Sequence, residues 1–459
     1  MKNAINFDLA DTGKPKYQLM VERLESAIAA GQWTTGERLP SNRELAALFG
    51  VTIGTVSKAM SEAVRRGIVD TRVGSGTYIR APRSAPEAAA GPQAIDLSLN
   101  VLPLAPVQAL LQQALAAHAQ SQGAHRLFAY EEVQQRQRFR HTAAAWLSAM
   151  GTPSEPQQLV ITGGVHHALV AAFHTQLRPG DTAVCDSLCY TGFQRLARLR
   201  GVRLVGVAGD AEGMNPDSLE RAVRDSGAKV LVAHPVLQNP TATLMPLARR
   251  ERIAALCRQH DLRVIEDAVN VPLADPGTPS LATLLPERTL HLAGFSKTIA
   301  SGFRLGYASM PAAWVEAFQD AALGVQWFAP GFYAELLEIM QADGLLEACM
   351  QAHRAEAAAR QQLLREAVPQ AVVGGAGYHA WLPCGPERSS AELCEEARRA
   401  GLSLSAAHHF AADAASETRD GVRISLGCED RGQLARGLAV LAGLLRSDAQ
   451  RGAFNAPAV

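Results

Sequence analysis

The sequence predicts two folded parts of different class. Residues 1–80 read as an α+β unit of short helices closed by a hairpin, and residues 94–450 as a larger α/β unit with a mainly parallel sheet. Three observations carry this. Residues 41–65 form two short helical patterns joined through Gly50, and strand-like runs then flank a Gly74-Ser75-Gly76 tip. Residues 81–93 hold Pro82, Pro86 and Pro92 among alanines with no apolar period, which is the composition of a linker. From Ile95 onward, apolar strand-like runs alternate with helical ones, which implies a sheet covered on both faces.

A chain of 459 residues, 47% of them hydrophobic, is long enough for at least two domains with buried cores. Basic and acidic residues number 44 each, so no whole-molecule field favours nucleic acid or a membrane, and any such signal is local. Seven scattered cysteines without a C-x-x-C pair favour reduced thiols over a disulfide framework or a metal cluster. The N-terminus is too polar for a signal peptide, and no apolar run approaches membrane-spanning length. A cytoplasmic chain is expected.

Taken in order, residues 16–30 place Leu19, Met20, Leu24, Ala27 and Ile28 on one helical face, and Gly31 ends the pattern. Ser41-Asn42-Arg43-Glu44 has the form of a capping box, in which a serine holds the first amides and a glutamate three residues on reaches back. That helix stops at Gly50. Val51-Thr52 opens a second, with Val56, Ala59, Met60 and Val64 inward, and the pair makes a helix-turn-helix with a wing at Gly74. The segment from Tyr17 to Ile79 resembles the winged helix-turn-helix of GntR-type regulators, which run L-P-S-x-R-x-L-A, then a glycine turn, then T-V, and end in G-S-G-T. The resemblance implies that Ser41, Arg43, Thr52, Thr55 and Lys58 face a double-stranded DNA operator, with the wing near Gly74 on backbone or minor groove. Relatives often carry arginine where this chain has Ile53. Residues 1–80 hold eleven Lys and Arg against eight Asp and Glu, so phosphate contact rests on placement more than on bulk charge.

In the large unit the stretch Leu290–Tyr307 reads L-H-L-A-G-F-S-K-T-I-A-S-G-F-R-L-G-Y. An apolar run delivers Lys297 into a turn, and Gly302 and Gly306 let the backbone bend closely around something. A lysine beside apolar segments loses hydration, its pKa falls, and the neutral amine can form a Schiff base with an aldehyde. Arg304 supplies paired donors for an anion such as a phosphate. Together these are the needs of a pyridoxal phosphate site. Gly163-Gly164 ahead of a helix offers free amides to an anion. Asp267, ending a buried strand, requires a cationic partner, and a pyridinium nitrogen is one. His166 and His167 are adjacent on a helix and diverge, so no metal is assigned.

The pattern S-K-x(6)-R-x-G resembles the lysine segment of fold-type I aminotransferases. The resemblance implies a phosphate cup from the amides of Gly164, Val165 and His166 with Ser296 and Arg304. It implies Tyr190 stacked on the ring, Asn239 on the ring hydroxyl, Tyr130 reaching the phosphate of a partner subunit, and Arg423 pairing with a ligand carboxylate. The chain departs from the family pattern at several places. Gln135 and Ala242 stand where relatives have glycine, Ala268 replaces a common second aspartate, and Gly294 replaces a serine or threonine. Asn270 takes the place of a tyrosine; it can donate a hydrogen bond to the ring oxygen but cannot share a phenolic proton, which disfavours efficient transamination.

The two signatures in this order resemble the MocR branch of GntR regulators. That implies a homodimer that holds pyridoxal 5′-phosphate on Lys297 as an internal aldimine and senses an amino compound, or the cofactor itself. Ligand exchange would bias domain closure and so the DNA-binding heads. The alternative is a working aminotransferase with an accessory DNA-binding domain. Residues after about 447 read as a frayed tail.

Overall fold

The computed structural model describes residues 15–29, 37–65, 68–72, 76–79, 94–120, 133–274, 279–327, 331–375, 377–413, 419–428 and 430–454. The chain divides into two compact units, Met1–Gly91 and Pro92–Val459. The linker reading of residues 81–93, Tyr130 and Gly74 lie outside the described residues.

The first unit contains α1 (Lys16–Ala29), α2 (Asn42–Phe49), α3 (Ile53–Arg65) and an antiparallel hairpin of β1 (Val69–Arg72) and β2 (Gly76–Ile79). Local chemistry sets these boundaries. Ser41 Oγ accepts the Glu44 N–H at 3.4 Å while Glu44 Oε2 accepts the Ser41 N–H at 2.7 Å, so α2 starts on a complete capping box. It ends at Gly50, which is left-handed at φ 62° and returns its N–H to the Ala46 carbonyl. Thr52 Oγ1 then accepts the Thr55 N–H at 3.2 Å and starts α3. Met20, Leu24, Leu45, Phe49, Val56, Ala59, Met60 and Val69 meet in one core. Val64 is not part of it. It is 41% exposed, and Ala63 is buried in its place, because 56, 59, 60 and 63 keep one helical stripe and residue 64 falls past its edge.

The second unit is built on a seven-stranded sheet. Its strands are β3 (Leu159–Thr162), β4 (Thr182–Asp186), β5 (Arg203–Val207), β6 (Val230–Ala233), β7 (Arg263–Asp267), β8 (Thr289–Gly294) and β9 (Gly306–Ser309). They lie in the order β3-β9-β8-β7-β6-β4-β5. Only β9 runs antiparallel to its neighbours β8 and β3; the remaining pairings are parallel. Every residue of β6 and β8 is buried, as expected for strands covered on both faces by helices. The loops after the parallel strands therefore gather at one edge, where ligand sites of such sheets form.

A smaller antiparallel sheet follows, with order β10 (His379–Pro383), β12 (Gly421–Ser425), β11 (Ser405–Ala406). It packs with the long helix Leu345–Ala367 and the C-terminal helix Arg431–Phe454 through a separate core that includes Leu364, Leu382, Ile424 and Leu438. The C-terminal helix continues through Phe454, so the frayed tail expected after residue 447 and the domain end at 450 both fall inside regular structure. All seven cysteines are free. Among the described residues no helix is long and apolar enough to cross a membrane.

The turn after β6 keeps a glycine-like backbone without a glycine. Ala242 sits at φ 58°, is buried, and donates its N–H to the Gln238 carbonyl at 2.7 Å. Left-handed strain on an alanine amounts to about 1 kcal/mol, and the burial of its methyl returns about 0.8 kcal/mol. The two nearly cancel. Ala242→Gly is therefore expected to leave stability within about 1 kcal/mol of the parent, whereas Ala242→Val, β-branched and too large, should cost more than about 2 kcal/mol in chemical denaturation.

Candidate active site

Strand β8 leads through Phe295 and Ser296 to Lys297, whose side chain is half-buried at the wall of a cavity. Its amine donates to the Asn100 carbonyl. Burial, and secondarily the charge of Arg423, bring its pKa down to about 7 against the opposing pull of Asp267. Near neutral pH a large fraction of the amine is thus unprotonated and nucleophilic.

Asp267 ends β7, the strand paired with β8, and is 3% exposed. Its Oδ1 accepts the Val269 N–H at 3.1 Å, and its Oδ2 lies 4.0 Å from His234 Nδ1. His234 follows β6, and its Nε2 faces Asn270 Nδ2 at 3.2 Å. Asn270 Nδ2 also donates to the Leu237 carbonyl at 2.8 Å, which fixes the amide orientation and makes Nε2 the acceptor. The imidazole proton is therefore on Nδ1, pointing at Asp267, and burial holds the His234 pKa below its ordinary value. This corrects one expectation. Both N–H bonds of Asn270 are spent on the protein, so it has no donor left for a ligand hydroxyl.

At the other end of the cavity, Gly164 caps the helix α4 (Val165–Gln176) with φ 96° and ψ 167°. A Cβ there would lie 2.5 Å from Arg304 Nη2, so the guanidinium rests directly on the glycine. His167 Nδ1 accepts the Gly163 N–H at 2.9 Å and its Nε2 lies 2.9 Å from the Ala322 carbonyl, so this histidine braces the turn. Among the described residues no group of three or more His, Cys, Asp or Glu could hold a metal. A Cβ at Gly294 would fall 2.9 Å from Val165 Cγ2, so a serine or threonine at 294 would collide with that valine. Gly306 is required by close approach, with a Cβ at 2.8 Å from the Ala293 carbonyl and 3.0 Å from Gly164 C. Gly302, by contrast, has open space around it and is not needed for the bend.

Tyr190 precedes the helix α5 (Thr191–Arg200). Its ring lies over Gly192, where a Cβ would be 2.2 Å from Cε1, and meets Phe193 edge-on at 5.6 Å between centroids. His166 in turn stands edge-on to it at 6.5 Å. Arg423 on β12 donates to Asn239 Oδ1 at 2.8 Å and to the Ser98 carbonyl, with its guanidinium 4.8 Å from the Phe410 ring centroid. Burial lowers its pKa to about 10, which leaves it charged at neutral pH. Ser425 donates to the Leu99 carbonyl at 2.5 Å, and the Leu102 N–H donates to Ser301 Oγ at 2.9 Å.

These side chains line one cavity of about 340 Å³. It brings together Val165, His166, Tyr190, Asn239, Asp267, Asn270, Ser296, Lys297, Arg304 and Arg423, with Gly164 beneath Arg304. It also contains Asn100, His234 and Ser301, which the sequence reading did not single out. His234 carried a usable signal, since it is a polar residue ending a buried strand, as Asp267 is. Asn100 carried none, because its link to Lys297 spans 197 residues of chain. In the first unit, Ser41, Arg43 and Thr52 are exposed and Thr55 is half-buried. The Ser41 hydroxyl serves the capping box, Thr52 and Thr55 share a hydrogen bond at 2.9 Å, and the exposed Lys58 places its amine 4.4 Å from the Tyr17 ring centroid.

An amine near its neutral threshold, a buried carboxylate across from it, and a guanidinium on a glycine at a helix N-terminus suit a phosphorylated aromatic aldehyde. Residues 92–441 match the family "Aminotransferase class I and II", and residues 16–79 match "Bacterial regulatory proteins, gntR family". The chain belongs to the aminotransferase class I and II family and carries a gntR-family unit ahead of that domain. Its cofactor is pyridoxal 5′-phosphate. Among the relatives of this chain, the HTH-type transcriptional regulator YdeF of Bacillus subtilis is 28% identical over 94% of this chain and 95% of its own length. The HTH-type pyridoxine biosynthesis transcriptional regulator PdxR of Corynebacterium glutamicum is 27% identical over 64% of this chain and 65% of its own. The structure of LysN, the α-aminoadipate aminotransferase of Thermus thermophilus, complexed with N-(5′-phosphopyridoxyl)-L-leucine, superposes with a TM-score of 0.69 at 23% identity, covering 78% of this chain and 93% of that one. At that identity the likeness is one of fold.

Proposed function

We propose that this MocR-type chain is a homodimeric transcription regulator whose aminotransferase-like unit senses an amino compound at Lys297. The carrying observation is a lysine with its pKa near 7 in a cavity that also holds a charged arginine, on the same chain as a gntR-family unit. Bound pyridoxal phosphate supplies an aldehyde that exchanges reversibly between amines and a ring that withdraws electrons. Lys297 presents the amine, and Asp267 holds a proton at the ring nitrogen with the help of His234. Arg304, Ser296 and the amides of Gly164, Val165 and His166 bind the phosphate. Tyr190 would cover the ring, Asn239 would bond the ring hydroxyl, Tyr130 of a second copy would complete the phosphate grip, and Arg423 would bind a carboxylate of the effector. Ser41, Arg43, Thr52, Thr55, Lys58 and the wing near Gly74 face operator DNA.

Asn270 supports sensing over turnover. Its two N–H bonds are held by His234 and the Leu237 carbonyl, so it offers the ring oxygen neither the hydrogen bond nor the phenolic proton that a tyrosine there would supply. A second reading, in which pyridoxal phosphate is itself the signal, is favoured by similarity to a regulator named for pyridoxine biosynthesis. The test is the visible absorption spectrum of the loaded protein during titration with amino acids and amines, with Lys297→Ala as control. A lysine-dependent band that shifts and then persists supports a sensor and names its ligand, whereas conversion to the pyridoxamine form, with repeated turnover once a 2-oxo acid is added as amino acceptor, supports the aminotransferase. DNA affinity that follows cofactor occupancy without any amine supports the second reading.

A further inference from the structure

The first turn of α3 presents an aliphatic surface to solvent. Ile53, its first residue, is 49% exposed, although the unit has an intact core a few residues away. Beside it, the Thr52 hydroxyl is bonded to both the Thr55 N–H and the Thr55 hydroxyl. The two threonine hydroxyls are thus drawn to each other, and Ile53 is the aliphatic side chain that this first turn exposes. Gly54 follows, also exposed, and a Cβ there would meet only Thr52 Oγ1, at 3.9 Å. Among the described residues no packing demands a glycine there, and a glycine in a helix weakens it relative to alanine. What it gains is a flat surface beside Ile53 that another molecule can approach closely. The second helix of a helix-turn-helix enters the major groove by its N-terminal residues. On the base edges of that groove, the apolar group is the C5-methyl of thymine, and aliphatic side chains pair with it.

We propose that Ile53 reads a thymine methyl in each half-site, a specificity contact lying over the flat surface left by Gly54. The inference rests on the reading that the first unit binds duplex DNA, and the experiment separates the two. Duplexes are selected from a random double-stranded library with the full-length, cofactor-loaded protein, and the best sequence is resynthesised with deoxyuridine in place of each thymidine in turn. Deoxyuridine removes one methyl and keeps every hydrogen-bonding group. Loss of one buried methyl corresponds to about three- to fivefold weaker binding per half-site, at one position only. Ile53→Ala, at an exposed site that leaves the core untouched, should bind thymidine and deoxyuridine duplexes equally. Equal affinity of the parent protein for both duplexes overturns the inference while leaving DNA binding intact. So does an Ile53→Ala protein that retains the full thymidine preference, since another residue would then read the methyl. Failure to enrich any duplex over bulk DNA overturns both readings.

Discussion

Replacing Lys297 with methionine raises the stability of the cofactor-free protein at pH 7 by about 2–3 kcal/mol and abolishes the lysine-dependent visible band of the loaded one. The sign follows from the protons. In the folded protein the amine titrates at about 7, against an ordinary value of 10.5. Between those values the unfolded chain holds a proton that the folded chain has shed, so unfolding takes up a proton and stability climbs with pH. Below about pH 7 the folded state carries a half-buried ammonium at full cost; above about 10.5 both states are neutral and the cost is gone. The whole shift corresponds to roughly 4–5 kcal/mol at 1.4 kcal/mol per tenfold, and cavity water around a half-buried amine reduces it. The methionine variant therefore gains most at about pH 7 and below, and its advantage shrinks as the pH rises from about 7 and is gone above about 10.5. Denaturant titrations of both cofactor-free proteins at pH 7 and pH 10 measure this. A constant difference between them would mean that the amine keeps its proton when folded.

The second large effect is expected at Gly164. Its φ of 96° and ψ of 167° fall in a region open in practice only to glycine, and holding another residue there costs about 1–3 kcal/mol. Beyond this backbone cost, the alanine methyl would sit 2.5 Å from Arg304 Nη2. The guanidinium is the far end of a flexible side chain, so it swings away, and the phosphate grip goes with it. Gly164→Ala is thus expected to lose about 1–3 kcal/mol of stability and to bind pyridoxal phosphate at least about tenfold more weakly, the worth of one charge-assisted hydrogen bond. Fluorescence-monitored cofactor titration checks the second part. Because an unfolded variant would also fail to bind, its melting curve is recorded in the same buffer. Arg304→Gln provides the comparison in which the grip is lost but the backbone is not strained.

Much of the fold was legible because its signals are local. The capping box at Ser41 and Glu44 involves atoms three residues apart, and the glycine stop at Gly50 follows from backbone sterics alone. The buried strands that end in Asp267 and lead to Lys297 announced themselves by composition and by the charge each run delivers. Phase was harder to read than presence, which is why Ala63 and not Val64 faces the core: a valine outranks an alanine in hydropathy, but helical geometry decides. The fate of Asn270 was not legible at all, because its two acceptors lie 33 and 36 residues away in sequence and only the folded turn brings them to the amide. The same holds for the glycine at 294, whose missing side chain is explained by a valine on a different element.

The stretch from Ser98 to Leu102 gives the cavity a resident competitor. Its carbonyls at Ser98, Leu99 and Asn100 accept from Arg423, Ser425 and Lys297, so the chain's own peptide oxygens already engage the guanidinium and the amine that line the cavity. A ligand that turns either group away from its carbonyl leaves that oxygen to find water or another donor. The stretch does not depend on those two groups alone: Ser425 bonded to the Leu99 carbonyl, Ser405 to the Ser98 carbonyl and the Leu102 N–H to Ser301 hold it in place whatever the guanidinium and the amine engage.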